Sequence, residues 1–287
     1  MSDFLKKLKL WLRLKAKSFG YLFMKAPEPE KWVFILGCYN SGTTLLHKLL
    51  ATHSDIGSMP NEGQFYSSQL PGGAKFNLPR LWALKPELFY INESSNPSID
   101  LQRLKKEWAW FYNDPKKKVL IEKTILNSAR SRWLQKNFRN SYFIVIFRNG
   151  YAVAEGIHRK ENHAIDIAAT QWAISNQILL KDLDYLKHKL IVKYEDLVKS
   201  PVGELSKITE FLNLNPLHEE VFKEEFKIHK FQSGIRDMNK ESIGRLSVDE
   251  VEAINLKAAN VLEQLNYVLL NPSDFLKEHP LNGHKAD

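Results

Sequence analysis

A turn rich in glycine and hydroxyl side chains, residues 37–44 (GCYNSGTT), is the segment of this chain best suited to chemistry. Its spacing is that of a phosphate-binding loop, in which backbone N–H groups and the following helix N-terminus hold a phosphate. Thr43 stands where nucleotide-hydrolysing loops carry a lysine, so ATP hydrolysis is poorly supported. The turn predicts phosphate binding; the simpler alternative is a glycine turn capped by Ser41 or Thr43.

Such a turn needs a strand before it and a helix after it, and the sequence supplies both. Trp32–Leu36 is a short apolar run, and a helical pattern extends from Thr44 to Thr52. Three more apolar runs each precede a helical pattern: Lys118–Ile121, Tyr142–Phe147 and Lys189–Val192. This alternation predicts an α/β fold with a P-loop-like central parallel sheet, flanked by helices on both faces. Residues 66–116, rich in Pro and aromatics, are expected to form a loop-and-helix insertion.

Composition excludes several classes of protein. The 287 residues are 44% hydrophobic and 26% charged, which excludes collagen-like, low-complexity and wholly disordered chains. The single cysteine, Cys38, excludes an internal disulfide and a multi-thiolate zinc site, and it favours a reducing compartment. No carboxylate or His/Cys cluster in the sequence predicts a metal site.

The net charge of +8 is concentrated near the N-terminus, because residues 1–25 carry seven Lys or Arg against one Asp. The rest is nearly neutral, so no nucleic-acid-binding face is predicted. Residues 4–24 predict a basic amphipathic helix that binds an anionic membrane surface or packs on the protein itself. We therefore expect three parts: the helix (1–25), a Pro-containing spacer (26–31) and one domain (32–287). The expected location is the cytoplasm, with peripheral attachment at the inner membrane surface.

Three segments, in order, resemble the sulfotransferases that use 3′-phosphoadenosine-5′-phosphosulfate (PAPS). Residues 41–44 (SGTT) resemble the 5′-phosphosulfate loop, and residues 147–153 (FRNGYAV) resemble the 3′-phosphate segment. Residues 193–197 (KYEDL), followed by Pro201 and residues 211–212 (FL), resemble the family's YEDL…P…FL block. The resemblance covers roughly residues 32–267. It implies PAPS as donor, PAP as product, Arg148 on the 3′-phosphate and Tyr194 beside the adenine.

Two further segments resemble the tyrosylprotein and related carbohydrate sulfotransferases. Residues 61–63 (NEG) are similar to the segment that carries the glutamate base of that branch, and residues 122–124 (EKT) to its catalytic-lysine segment. The resemblance implies that Glu62 accepts the proton of the acceptor hydroxyl and that Lys123 stabilises charge on the sulfonate and leaving group. The alternative is that Glu62 is a solvated loop glutamate and Lys123 an ordinary lysine at a strand end.

The sequence departs from the family at two positions. The residue before Ser-Gly-Thr-Thr is usually Lys or Arg, and here it is Asn40. The serine usually found eight residues after the arginine is replaced by Gly156. The donor-binding residues implied by the resemblance are Asn40, Ser41, Gly42, Thr43, Thr44, Arg148, Gly156, Tyr194, Ser242 and Arg245.

Other residues compete for these roles or have structural explanations. His158 is the main alternative base, whereas His47 is expected to be exposed and His53 to cap or pack at a helix end. Trp172, in a helical stretch over 164–187, is expected in the core. Ser242 and Arg245, with Asn239, resemble a late donor-binding segment, but polar residues that cap the following helix (248–266) explain them almost as well.

These expectations lead to a sulfotransferase that moves the sulfonate of PAPS to an acceptor hydroxyl, with a glycan or glycolipid favoured. A tyrosine-containing peptide and a small metabolite remain as acceptors. Two other classes stay open: a nucleotide kinase-like P-loop enzyme, and a catalytically weak PAP/PAPS-binding or membrane-adaptor protein.

Overall fold

The centre of this computed structural model is a parallel sheet of five strands in the spatial order β2-β3-β1-β4-β5. The structure describes residues 17–218, 221, 226–228, 231–233 and 235–278. The five strands are β1 (Lys31–Leu36), β2 (Ile56–Ser58), β3 (Val119–Glu122), β4 (Ser141–Phe147) and β5 (Lys189–Lys193). A separate antiparallel pair consists of β6 (Phe226–Ile228) and β7 (Phe231–Ser233). The predicted α/β fold with a central parallel sheet is confirmed.

Helices cover both faces of the sheet. They are α1 (Lys17–Gly20), α2 (Thr43–Leu50), α3 (Leu101–Phe111), α4 (Ser131–Asn137), α5 (Gly150–Glu161), α6 (Ile165–Leu183), α7 (Tyr194–Lys199), α8 (Pro201–Phe211), α9 (Asn239–Ile243), α10 (Val248–Gln264) and α11 (Pro272–Glu278). Along β1, Val33 and Ile35 join a core with α2 and α8, while Trp32, Phe34 and Leu36 join a larger core with α3, α5, α6 and α10. Because both faces are buried, the strand is apolar throughout.

The structure differs most from the sequence pattern at one edge strand. Strand β2 has only three residues and includes Gly57, so the sequence contains no apolar run that predicts it. Within residues 66–116 the chain forms short 3₁₀ turns and then α3, whose first turn is capped by Asp100 accepting from the Arg103 N–H. The helix predicted near 128–138 is a 3₁₀ turn (Ile125–Ala129) followed by α4.

The predicted N-terminal amphipathic helix falls largely on residues 4–16, outside the described residues. Its end packs against the body: Gly20 is buried against Trp110 of α3, and Arg103 lies 5.0 Å from the ring centroid of Tyr21. Phe19 and Phe23 are exposed. No helix in the described part of the chain is long and apolar enough to cross a membrane.

Candidate active site

The candidate residues lie at one edge of the sheet, where the carboxyl ends of the strands meet. The phosphate turn (residues 37–44) follows β1, Lys123 follows β3, Arg148 follows β4 and Tyr194 follows β5. Glu62 lies in the loop after β2. In open parallel sheets ligands bind in the crevice beyond these strand ends. The fold therefore brings five separate chain segments to one place.

The phosphate turn depends on a close approach between Gly42 and Tyr194. Gly42 has φ 93°, and a Cβ there would lie 2.6 Å from Tyr194 Cδ2, so only glycine fits. The Gly37 N–H donates to Ser128 Oγ at 3.1 Å, which fixes the start of the turn. Thr43 and Thr44 open α2, whose first N–H groups lack intrahelical acceptors. Ser41 is buried, and its Oγ has no partner among the described residues.

Arg148 is held against the same turn. Its Nε donates to Asn239 Oδ1 at 2.8 Å, its Nη1 donates to the Asn40 carbonyl at 2.7 Å, and its guanidinium lies 4.1 Å from the Tyr194 ring centroid. Burial lowers the pKa of Arg148. Its Nη2 is buried and has no partner among the described residues. One guanidinium nitrogen thus remains free to bind an anion next to the turn.

Glu62 and Lys123 form an ion pair across neighbouring loops. Glu62 Oε1 lies 3.2 Å from Lys123 Nζ, and both side chains are largely buried. The other carboxylate oxygen, Oε2, accepts from Gln64 Nε2 at 2.6 Å. The two residues that the resemblance pairs in catalysis are in contact in the structure.

Glu122 is a contributor to the site that sequence reasoning did not single out. Its fully buried carboxylate accepts from the Gly63 N–H at 2.7 Å, and also from Thr124 Oγ1 and Asn127 Nδ2. Burial raises the pKa of Glu122 to about 7. The carboxylate ties the Glu62 loop to the end of β3. The sequence signal that could have identified Glu122 is a glutamate as the last residue of an apolar strand.

A cavity of about 360 Å³ opens beside Lys123. Its polar lining includes Thr44, His47, Lys48, Thr52, Ser58 and Asn61. His47 is buried rather than exposed as expected, and it lines this cavity from α2. Burial, and then the charges of Lys123 and Lys48, lower the pKa of His47 to about 3, so the imidazole is neutral. Ala51, Met59 and Pro60 add apolar surface to the lining, and Lys123 connects the cavity to the Glu62–Lys123 pair.

The other two candidate histidines, His53 and His158, lie outside the lining of this cavity. His158 Nδ1 is 2.6 Å from the His163 carbonyl, and its Nε2 is 3.5 Å from Glu250 Oε1. It lines a second cavity, of about 330 Å³, whose described lining includes neither Glu62 nor Lys123. His53 contacts the Asn215 carbonyl at 2.9 Å, as expected of a packing residue. Of the two candidate bases, Glu62 contacts Lys123, whereas His158 contacts Glu250.

The late segment is only partly brought to the site. Asn239 bridges Arg148 and Glu195, because its Nδ2 donates to Glu195 Oε1 at 2.6 Å. Arg245 instead pairs with Glu155, at 2.6 Å, and its Nη2 donates to Ser242 Oγ at 3.2 Å. Neither Ser242 nor Arg245 caps α10. The N-cap of α10 is Ser247, which forms a capping box with Glu250.

Trp172 lies in the core, as expected, and contacts the backbone of Arg148. Its side chain is fully buried, and its Nε1 donates to the Arg148 carbonyl at 3.1 Å. Within the described ranges, no group of three or more His, Cys, Asp or Glu side chains could hold a metal ion.

Comparisons with known proteins agree with this architecture. A family model described as "Sulfotransferase family" matches residues 33–219. The chain is similar to the sulfotransferase domain from the curacin biosynthetic pathway (24% identity, TM-score 0.51, covering 86% of this chain and 100% of that one). It is also similar to sulfotransferase STF9 from Mycobacterium avium (15% identity, TM-score 0.51, covering 90% and 82%).

A third similar structure is the sulfotransferase domain from the Synechococcus PCC 7002 olefin synthase (22% identity, TM-score 0.50, covering 68% of this chain and 77% of that one). None of the curated proteins matches the chain significantly. At these identities the solved structures show a shared fold, and the family model covers well over half of the chain. The chain therefore belongs to the sulfotransferase family.

Proposed function

We propose that this protein transfers the sulfonate group of PAPS to an acceptor hydroxyl, in the manner of the tyrosylprotein and carbohydrate sulfotransferases. One observation carries the proposal. Ser41 Oγ, Asn40 Nδ2 and Arg148 Nη2 are buried, lack partners among the described residues, and lie on the phosphate turn or in contact with it. Buried polar groups are normally satisfied, so a cluster of unsatisfied donors indicates an anionic ligand.

The residues present fit a doubly phosphorylated adenosine. The turn and the N-terminus of α2 suit the 5′ end, and Arg148 suits the ribose 3′-phosphate. PAPS supplies a sulfonate on a good leaving group. Tyr194, whose hydroxyl donates to the Arg236 carbonyl at 3.1 Å, is fixed next to Arg148 and is the proposed neighbour of the adenine. A contribution to donor binding remains a prediction for five further residues: Thr43, Thr44, Gly156, Ser242 and Arg245.

Glu62 and Lys123 have different roles in the proposed transfer. A Glu62 carboxylate oxygen accepts the proton of the acceptor hydroxyl, while Lys123 Nζ places positive charge where negative charge develops on the transferred group. Their contact orients the carboxylate, since Lys123 Nζ lies 3.2 Å from Glu62 Oε1. Glu122 holds the backbone of the Glu62 loop in place.

The proposed acceptor is a glycan or glycolipid. Hydroxyl and amide side chains line part of the cavity beside Lys123, and such groups can hydrogen-bond a hydroxyl-rich ligand. A peptide tyrosine or a small metabolite is the alternative acceptor. The basic segment at residues 1–25 supports a cytoplasmic protein attached to the inner membrane surface, with residues 32–287 as the catalytic domain.

Calorimetric titration tests the donor site. We expect PAP to bind without Mg²⁺ and more tightly than ATP–Mg²⁺; preference for ATP would favour the kinase-like alternative. Incubation of labelled PAPS with lipid, glycan and peptide fractions then tests the reaction and identifies the acceptor. PAP binding with no transfer to any fraction would favour the non-catalytic alternative. Asn40 and Gly156, where the sequence departs from the family, are the observations that support this second candidate.

A further inference from the structure

The phosphate turn contains no charged side chain in any of its eight residues, 37–44. Positive charge for a bound anion must therefore come from other elements. Arg148 Nη1 already donates to the Asn40 carbonyl. A second cation reaches the same residue from the C-terminal end of α5: Lys160 Nζ donates to Asn40 Oδ1 at 2.8 Å. Asn40 is thus in contact with two positive side chains.

Gly156 makes this contact possible. It lies one helical turn before Lys160, so the two residues share a face of α5. A Cβ at Gly156 would lie 3.1 Å from Asn40 Nδ2 and 3.3 Å from Asn40 Cγ. A Cβ there would require the Asn40 amide to shift by a few tenths of an ångström. The position of the Asn40 amide therefore depends on the absence of a side chain at Gly156.

Lys160 is not neutralised by a carboxylate. No described acidic side chain lies within ion-pair distance of its Nζ, whereas Glu155 pairs with Arg159 and Arg245, and Glu161 pairs with Arg80. Partial burial, and then the positive charges of Arg80, Arg159 and Arg148, lower the pKa of Lys160 to about 8. An ammonium held among other cations gains from an anionic neighbour.

We propose that Lys160 binds the anion held by the phosphate turn, the 5′ end of the donor, and so supplies from α5 the charge that Asn40 lacks. This inference rests on the proposed donor site. Asn40 orients the lysine through its Oδ1 and keeps its unpartnered Nδ2 for the same ligand. Removing one charge-assisted hydrogen bond is expected to weaken binding by about 10- to 100-fold.

The test compares PAP with 5′-AMP, which lacks the 3′-phosphate. Both are titrated against the full chain and its Lys160→Met variant, with Lys181→Met as a matched control on exposed α6 surface. We expect Lys160→Met to weaken both ligands by the same factor and Lys181→Met to change neither. A loss confined to PAP would assign Lys160 to the 3′-phosphate and overturn the inference, as would no loss for either ligand.

Two more variants separate a charge effect from a packing effect. Lys160→Arg keeps the charge and is expected to retain binding. Asn40→Lys introduced into Lys160→Met restores the cation on the turn itself and is expected to recover most of the lost affinity. Failure of Asn40→Lys to recover affinity for 5′-AMP would count against the proposal. If the unaltered protein bound no PAP, the proposed function itself would fail, a result distinct from any variant effect.

Discussion

Glu62 Oε1 lies 3.2 Å from Lys123 Nζ, although 61 residues separate the two in the chain. The contact exists because β2 and β3 are neighbours in the sheet, so the loop after one and the first residue after the other emerge side by side. Glu122 strengthens the junction by accepting the Gly63 N–H. A carboxylate and an ammonium held this way suit proton acceptance beside charge stabilisation.

Glu62→Gln should abolish transfer and spare donor affinity. The amide keeps the shape of the side chain but cannot accept a proton, so kcat should fall by about 10²- to 10⁴-fold. The measurement is labelled transfer from PAPS, with PAP titration alongside. Glu87→Gln, on an exposed 3₁₀ turn, is the matched control. Full activity in Glu62→Gln would place proton acceptance on another group.

Lys123→Met should lower kcat by about 10²- to 10³-fold, because a methionine fills similar space without the charge. Donor affinity should change less than kcat. Single-turnover transfer at saturating PAPS separates the two quantities. Lys187→Met, at an exposed position, serves as control. A kcat that stays unchanged while acceptor KM rises would show that Lys123 binds the acceptor only.

Arg148→Lys should weaken PAP binding by about 10-fold, and Arg148→Ala by about 100-fold. Lysine keeps the charge but cannot reproduce the forked contacts to Asn239, Asn40 and a ligand. Titration with PAP and 5′-AMP measures the effect, and PAP should lose more affinity than 5′-AMP. Equal losses for the two ligands would contradict a contact with the 3′-phosphate. Urea unfolding of both variants shows whether the fold is retained.

Glu122→Gln should change how stability depends on pH. Burial raises the Glu122 pKa to about 7 in the folded state, above the ordinary value of 4.5. The folded protein therefore binds more protons than the unfolded chain between these values. The contribution of Glu122 to the free energy of unfolding is largest below pH 4.5 and is lost as pH rises through 7, by about 3 kcal/mol in total.

Urea unfolding at pH 5.5 and 8.0 measures this dependence, which Glu122→Gln should reduce. Four other ionisable groups interact with Glu122, and they are unchanged in the variant: Glu62, Lys123, Arg130 and Tyr112. Asn127 Oδ1 has no partner among the described residues, so the Asn127 amide can turn to accept from the new glutamine. An identical pH slope in both proteins would contradict the prediction.

Gly42→Ala should distort the phosphate turn and remove PAP binding. The new Cβ would meet Tyr194 Cδ2 at 2.6 Å, and φ 93° adds about 1–3 kcal/mol of backbone strain. Thermal unfolding and PAP titration measure the two effects. Gly203→Ala, in helix α8, is the matched control, since the close contact of its new Cβ is with the rotatable hydroxyl of Ser200, the N-cap residue. Equal behaviour of the two variants would contradict a special role for Gly42.

Much of the fold follows from local pattern. Continuous apolar runs predicted four of the five sheet strands, and the glycine and hydroxyl spacing predicted the turn after β1. Strand β2 was missed because a three-residue strand carries too little periodicity, and the bounds of helix α3 within the expected loop-and-helix insertion were not predicted for the same reason. The roles of the site residues stay predictions, although the structure places Glu62, Lys123 and Arg148 at one sheet edge.

The sequence by itself determined the type and order of the main elements, because periodicity and turn chemistry act over a few residues. Only the tertiary structure decided which distant side chains meet. The spatial order β2-β3-β1-β4-β5 brings Glu62 to Lys123, and packing of α5 on the turn brings Lys160 to Asn40. These contacts, and the burial that raises the Glu122 pKa, depend on strand order and helix packing, which local pattern does not encode.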